Sequence, residues 1–363
     1  MYVILVGGPS SGKTASMNVP IRWVMKRLGT TPGIRKGHPD YPHSIRVYGL
    51  EDRHLHLITG RITPEQLFVD MRDAQRLDLA AFGPAGGNRE YENALTLVTA
   101  EFGAFMQRDN HSLQIFMTDA WDGLKDELSY RTKNNGQFLI RAPALNWLAA
   151  ATPSEFVNQM PENAQSQGLL SRLVPVLYDG PPIPDQLRYP EIGEDYLDAL
   201  ARDLVRITQL RGPIQFAPGL EAKVDREIQA GLLPQPSDPL LAEYCGRRKA
   251  HFIKTAIAVS VARSDSLIIT ERDWFDAKEI MFAAEADMPR VLANFGMGKA
   301  GRLAADVERH VNSLLQYRSS MPMSMLRREV LRRVSSASEV EPTIRALVDT
   351  GVIKVTENIV RAA

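Results

Sequence analysis

The residues Gly7-Gly8-Pro9-Ser10-Ser11-Gly12-Lys13-Thr14 satisfy the pattern G-x-x-x-x-G-K-[ST]. They stand between an apolar run, Tyr2–Val6, and a segment of helical character, Ala15–Leu28. Glycines at these places let successive backbone N–H groups turn inward around phosphate oxygens, and a helix start adds positive potential. In this pattern Lys13 reaches the terminal phosphates and Thr14 offers its hydroxyl to Mg²⁺. The chemistry expected of the loop is the binding of ATP with Mg²⁺. The alternative is a glycine-rich turn that matches by coincidence, and the strand before and helix after argue against it.

Hydrolysis needs an acid near the terminal phosphate, usually at the end of a neighbouring strand, to hold Mg²⁺ or orient water. Leu95-Thr96-Leu97-Val98-Thr99-Ala100-Glu101 offers Glu101 at such a place. Glu101 is the expected water-polarising residue and a metal ligand together with Thr14. Its alternative role is an exposed carboxylate that favours a helix dipole. Ala100 stands where an aspartate usually precedes such a glutamate. Asp119 and Asp122 are rivals if Leu113–Thr118 forms a strand.

Positioning these groups requires an α/β layer. Strand-like pieces at Tyr2–Val6, Ser44–Leu50, His54–Ile58, Leu95–Val98 and Ala144–Ala151 alternate with helical pattern, including a stretch from Glu101 to about Glu127. A helix starts at Thr63-Pro64-Glu65-Gln66, where threonine caps, proline suits the first turn and Gln66 completes a capping box. Gly180-Pro181-Pro182-Ile183-Pro184 is the first boundary, because clustered prolines end regular structure. Beyond it, Tyr196–Leu210, Leu220–Ala230, Leu240–Arg263 and Glu271–Ala286 look helical. The expected architecture is a phosphate-loop ATPase core over 1–183, a helical lid over 184–298 and a winged helix-turn-helix over 299–363, the second boundary falling at Gly296-Met297-Gly298.

The order of the phosphate loop, Thr63-Pro64-Glu65-x-Leu67, Glu101-Phe102-Gly103-Ala104, Ala149-Ala150-Ala151-Thr152-Pro153 and Gly168-Leu169-Leu170-Ser171-Arg172 resembles the helicase ATPase portion of phage- and plasmid-encoded primase–helicases. It is similar also to the core of minichromosome-maintenance helicases, in the AAA+ superfamily, over about residues 1–285. The resemblance implies a polar sensor at Thr152, an arginine finger at Arg172 that reaches a neighbouring subunit's nucleotide, and a second sensor on the lid at Arg247. It implies a pore hairpin at Tyr130–Gln137, turning at Asn135-Gly136, with Arg131 and Lys133 on single-stranded DNA. For each the bland alternative is a turn, a surface arginine, a basic helix start or a plain hairpin. A hexameric ring is implied, with a separate primase or initiator as a further partner.

The last region carries three helix-like segments, Leu303–Tyr317, Ser324–Val334 and Val340–Asp349, leading into Val352-Ile353-Lys354-Val355. Arg327, Arg328, Arg332 and Arg333 form two pairs five apart that can face duplex phosphates, with the helix from about Ser336 as the reading element; the alternative is protein contact.

The whole chain of 363 residues balances 43 basic against 43 acidic side chains, so nucleic-acid or membrane binding must come from local patches. One cysteine, Cys245, excludes an internal disulfide framework and multi-cysteine metal sites, and fits a reducing cytoplasm, that of a bacterial host if the chain is phage-encoded. No apolar run suits a signal peptide or a membrane span. The expected activity is an ATP-driven DNA helicase. The rivals are an ATP-switched initiator or helicase loader and a small-molecule kinase.

Overall fold

The computed structural model describes residues 1–21, 44–49, 53–60, 62–77, 91–106, 110–123, 127–132, 136–160, 168–180, 192–210, 212–293 and, within 307–362, all but 309, 313, 316–317, 319, 335 and 350. The expected boundaries at 181–184 and 296–298, and Lys133 in the hairpin turn, lie outside them. Two compact units are present, Met1–Leu292 and Ala293–Ala363, and each is described by itself. The region expected as core, and that expected as lid up to Leu292, fall in the first.

The strands of the first unit's main sheet and hairpin are β1 (Tyr2–Gly7), β2 (Ser44–Gly49), β3 (Arg53–Thr59), β4 (Gln75–Leu77), β5 (Tyr91–Thr99), β6 (Glu127–Thr132), β7 (Gly136–Arg141), β8 (Pro143–Ala151) and β9 (Leu173–Tyr178). The central sheet runs β2-β3-β5-β8-β1-β9, with β4 also on β5. Strands β3, β5, β8, β1 and β9 are parallel, whereas β2 pairs antiparallel to β3 and β4 to β5. The fold is mixed α/β with a mainly parallel central sheet. Tyr2, Ile4 and Val6 of β1 and Leu145, Trp147, Ala149 and Ala151 of β8 are buried on one face of the sheet, while Val3, Leu5 and Leu148 on the other are half-buried.

The register sets which loops meet. Val6 lies beside Ala151, Gly7 beside Tyr178, Thr99 beside Ala149, and Thr59 beside Val98. All five parallel strands therefore end at one side of the sheet, and the loops that follow β1, β5 and β8 gather there.

Helices α1 (Lys13–Val19), α2 (Pro64–Asp73), α3 (Phe102–Phe105), α4 (His111–Asp122) and α5 (Pro153–Gln159) connect these strands. The stretch expected as one helical pattern from Glu101 is two helices. Asn110 caps the second by accepting from Leu113 N–H at 3.0 Å, and Gly123, at φ 62°, ends it. Leu113–Thr118 is thus helical, so Asp119 and Asp122 do not stand at a strand end. At Thr63 the cap forms, but the Gln66 side chain turns to Asp70 at 2.8 Å, leaving the box half made.

Helices α6 (Glu194–Gln209), α7 (Leu220–Gln229), α8 (Ala242–Cys245), α9 (Arg248–Arg263) and α10 (Glu271–Leu292) follow. The segment expected as a single helix over 240–263 is broken at Gly246, and Arg248 is drawn into a buried pair with Glu285, both guanidinium–carboxylate contacts being 2.7 Å. In the second unit, α11 (Met323–Leu331) and α12 (Val340–Asp349) pack with a three-stranded sheet of Met321–Pro322, Ile353–Thr356 and Ile359–Ala362. The last of these strands was not expected. Glu357 and Asn358, both at positive φ, form the two-residue turn that pairs it with Ile353–Thr356. Val311, Leu326, Val330, Ile344, Leu347 and Val360 form this unit's own core.

Candidate functional site

The loop Gly7–Thr14 curls over the carboxyl end of β1. Gly12 adopts the left-handed region at φ 76° and caps α1, and Ser16 N–H donates to Gly12 O at 2.9 Å. Gly7 is required by close approach, since a Cβ there would meet Ser11 Oγ at 2.7 Å and Tyr178 O at 3.0 Å. Lys13 folds back over its own loop, Nζ donating to Gly7 O at 2.8 Å, Gly8 O at 2.7 Å and Ser11 Oγ at 3.0 Å. All three ammonium donors are thus committed to oxygens that a polyanion can replace. Burial lowers the Lys13 pKa and the charge of Glu155 opposes that shift. Thr14 is exposed, and Gly8 faces open space. Pro9 and Ser10 complete the loop, Ser10 at φ 59°.

Glu101 follows β5 and is exposed at the rim of a cavity of about 130 Å³ shared with Gly60, Thr99, Ala100, Ala104 and Phe105. An aromatic cluster underlies it. Trp147, fully buried on β8, donates Nε1–H to Thr99 Oγ1 at 2.9 Å, stacks on Phe102 at 5.3 Å, and meets Phe105 edge-on at 5.3 Å. A buried indole needs such a partner, and the bond ties the end of β5 to β8.

Thr152 follows β8 and caps α5, its Oγ1 accepting from Glu155 N–H at 3.2 Å. Glu155 completes a capping box by accepting from Thr152 N–H at 3.3 Å, and its other oxygen accepts from Gly103 N–H at 2.8 Å. Glu155 is missing from the sequence-based set although Thr152-Pro153-Ser154-Glu155 is itself a capping-box pattern. The bond to Gly103, from 52 residues away, has no signal in the sequence.

Phosphate loop, Glu101, Thr152 and Glu155 are therefore assembled at one side of the sheet. Arg172 and Arg247 are at the other. Arg172 precedes β9, whose first residue, Leu173, pairs with Tyr2, and β1 spans about 17 Å from Tyr2 to Gly7. The Arg172 side chain is 7% exposed, with Nη2 on Asp122 Oδ2 at 2.6 Å, Nη1 on Gly168 O at 2.7 Å, and its guanidinium 5.6 Å from the centre of the Trp121 ring. Arg247, 40% exposed, reaches the other oxygen of the same carboxylate at 3.0 Å. Lys254 donates to Trp121 O at 2.7 Å, and its pKa falls to about 8 through burial, with Arg172 and Arg247 adding to the fall.

The expected DNA contacts are scattered. Arg131 lies on β6 of an antiparallel hairpin with β7. On and just after α11, Arg327 pairs with Glu341 at 2.6 Å, Arg332 with Glu329 at 2.8 Å and Arg333 with Glu329 at 3.5 Å. Arg328, on the same helix, has no ion pair among the described residues.

The residues at the loop fit a nucleotide polyphosphate by donor chemistry. Among the described residues no group of three or more His, Cys, Asp or Glu side chains could hold a metal by itself. A Mg²⁺ here would be held by Thr14 and Glu101 together with phosphate oxygens, as this ion commonly is. Among the described residues no helix is long and apolar enough to cross a membrane. Compared with protein-family models and with curated proteins, the chain matches none, so its site is read from its own geometry.

Proposed function

We propose that the chain is a Mg²⁺-dependent ATPase of AAA+ type that acts as an oligomeric ring on DNA, as a helicase does. The observation that carries the reading is the convergence, at the carboxyl ends of β1, β5 and β8, of the Gly7–Thr14 loop, Glu101 and Thr152. The strand order supports it, because β8 separates the strand of the phosphate loop from the strand of the acid and sets Thr152 between them.

On this reading Lys13 exchanges its loop oxygens for those of the β- and γ-phosphates, and Thr14 holds Mg²⁺. Bound Mg²⁺ neutralises charge developing on the phosphoryl oxygens. Glu101, exposed at its cavity, polarises the attacking water, and the Thr152 hydroxyl, whose oxygen caps α5 and stands 3.3 Å from Ser154 Oγ, turns its proton to the water when Ser154 is the donor of that pair. Arg172 and Arg247, on the side away from their own loop, serve a neighbouring copy's nucleotide. Arg247 offers the exposed guanidinium and Arg172 braces it through Asp122. Arg131 on the hairpin contacts single-stranded DNA, with Lys133 as its expected companion, and a winged helix in the second unit contacts duplex, with Arg328 the α11 arginine that has no ion pair among the described residues.

The test is ATP turnover with and without single-stranded DNA, for wild type, Lys13→Ala and an equimolar mixture of the two. The expected result is DNA-stimulated turnover that Lys13→Ala abolishes, and a mixture working below the half-rate of independent subunits. Turnover indifferent to DNA with a mixture at half-rate overturns the ring reading in favour of a nucleotide switch. Transfer of the γ-phosphate to a nucleoside or nucleotide would establish a kinase instead.

A further inference from the structure

Glu101 is bracketed by two anchored residues. Before it, Thr99 is bonded to the Trp147 indole at 2.9 Å; after it, Gly103 N–H is bonded to Glu155 Oε1 at 2.8 Å. The approach at Gly103 is close: a Cβ would meet Gln159 Cγ at 2.7 Å and Glu155 Oε1 at 3.1 Å, so those side chains would have to shift to admit one. A capping box consumes one carboxylate oxygen, and Glu155 spends that one on Thr152 N–H at 3.3 Å. The second oxygen is used on a different loop. One side chain therefore fixes the loop that carries the acid against the residue that carries the hydroxyl, close enough to Lys13 for its charge to be felt there.

We propose that Glu155 is a positioning residue for phosphoryl chemistry at this site, holding Glu101 and Thr152 in register through its two carboxylate oxygens. The proposal rests on the ATPase reading above. Glu155 need not touch the nucleotide. It sets the backbone on either side of the water that Glu101 and Thr152 would address, and a misplacement on the order of 1 Å there is enough to slow the chemical step severely.

Two substitutions separate this from a merely structural cap. Glu155→Gln keeps the length and a residue favoured in capping boxes, but has one acceptor oxygen for two N–H groups. Glu155→Asp keeps the charge and both oxygens near the start of α5 but is one methylene shorter and falls short of Gly103. Steady-state ATP turnover is measured for both beside wild type and Lys13→Ala, with circular dichroism to check folding. The expected result is a kcat lower by about tenfold or more in both, with KM within about twofold of wild type. A kcat within about twofold of wild type in both variants, or a loss confined to KM, overturns the proposal. If either variant fails to fold, Gly103→Ala crowds both Gln159 and the Glu155 Oε1 that the Gly103 N–H binds, without altering Glu155, and an undiminished kcat there overturns it equally. Should wild type show no Lys13-dependent turnover, the ATPase reading falls and this proposal falls with it.

Discussion

His251 is fully buried and its Nε2 stands 2.8 Å from the carbonyl oxygen of Ser171. A carbonyl only accepts, so Nε2 carries the proton and Nδ1, which has no partner, is bare. Protonating Nδ1 would bury an unpaired charge beside Lys254 and Arg172, and burial lowers the pKa from 6.5 to about 4. Between those values the unfolded chain binds more protons than the folded one. Stability from this group is complete above pH 6.5 and is lost as pH falls toward 4. From pH 7 to pH 5 the loss should be roughly 2 kcal/mol. Urea denaturation of wild type and His251→Gln at both pH values checks it: the substituted protein should lose about that much less on acidification.

At the scale of elements, Asp122 is the point where three meet. It ends α4, binds the arginine that precedes β9 and binds the residue that precedes α9. Arg172 is nearly enclosed, so removing its counter-charge leaves a buried cation without compensation. Asp122→Ala should cost about 3 kcal/mol, whereas Asp122→Ala with Arg172→Met should cost less than the two single changes summed. Thermal denaturation of the four proteins in this cycle decides it; additive losses would mean that the pair is not coupled. The same elements explain why the sequence missed Asp122's place. Its neighbours Leu113–Thr118 carry an apolar run that suits either a short strand or a buried helix face, and only the Asn110 cap and Gly123 stop resolve the choice.

For the whole molecule, surface charge rather than sequence count decides what can meet DNA. Of the four arginines on and just after α11, Arg327, Arg332 and Arg333 are held by Glu341 or Glu329, while Arg328 has no ion pair among the described residues. A phosphate must displace the carboxylate at three of them and meets no such competitor at Arg328. On the DNA-binding reading proposed above, Arg328→Ala should weaken duplex affinity of the full chain and lower the magnitude of the salt slope by about 1, and Arg332→Ala should change the slope by less. Equal effects would show that the ion pairs do not compete.

The strand–loop–helix around Gly7–Thr14 was legible because it is local: eight consecutive residues specify their own backbone, and the strand before and helix after are written in adjacent hydrophobic patterns. The hairpin ahead of β8, and Thr152 and Glu101 as strand-end residues, were readable for the same reason, although Gly136, expected in the hairpin turn, is the first residue of β7 and pairs with Thr132. The partners of those residues were not. The bond from Glu155 to Gly103, the indole bond from Trp147 to Thr99, and the sharing of Asp122 by Arg172 and Arg247 span 52, 48, 50 and 125 positions. Side-chain type sets what each group can bond; the parallel register of β1, β5, β8 and β9 decides which groups arrive within reach. That register also puts the phosphate loop and the two arginines at opposite ends of β1, a separation produced by packing non-local strands into one sheet.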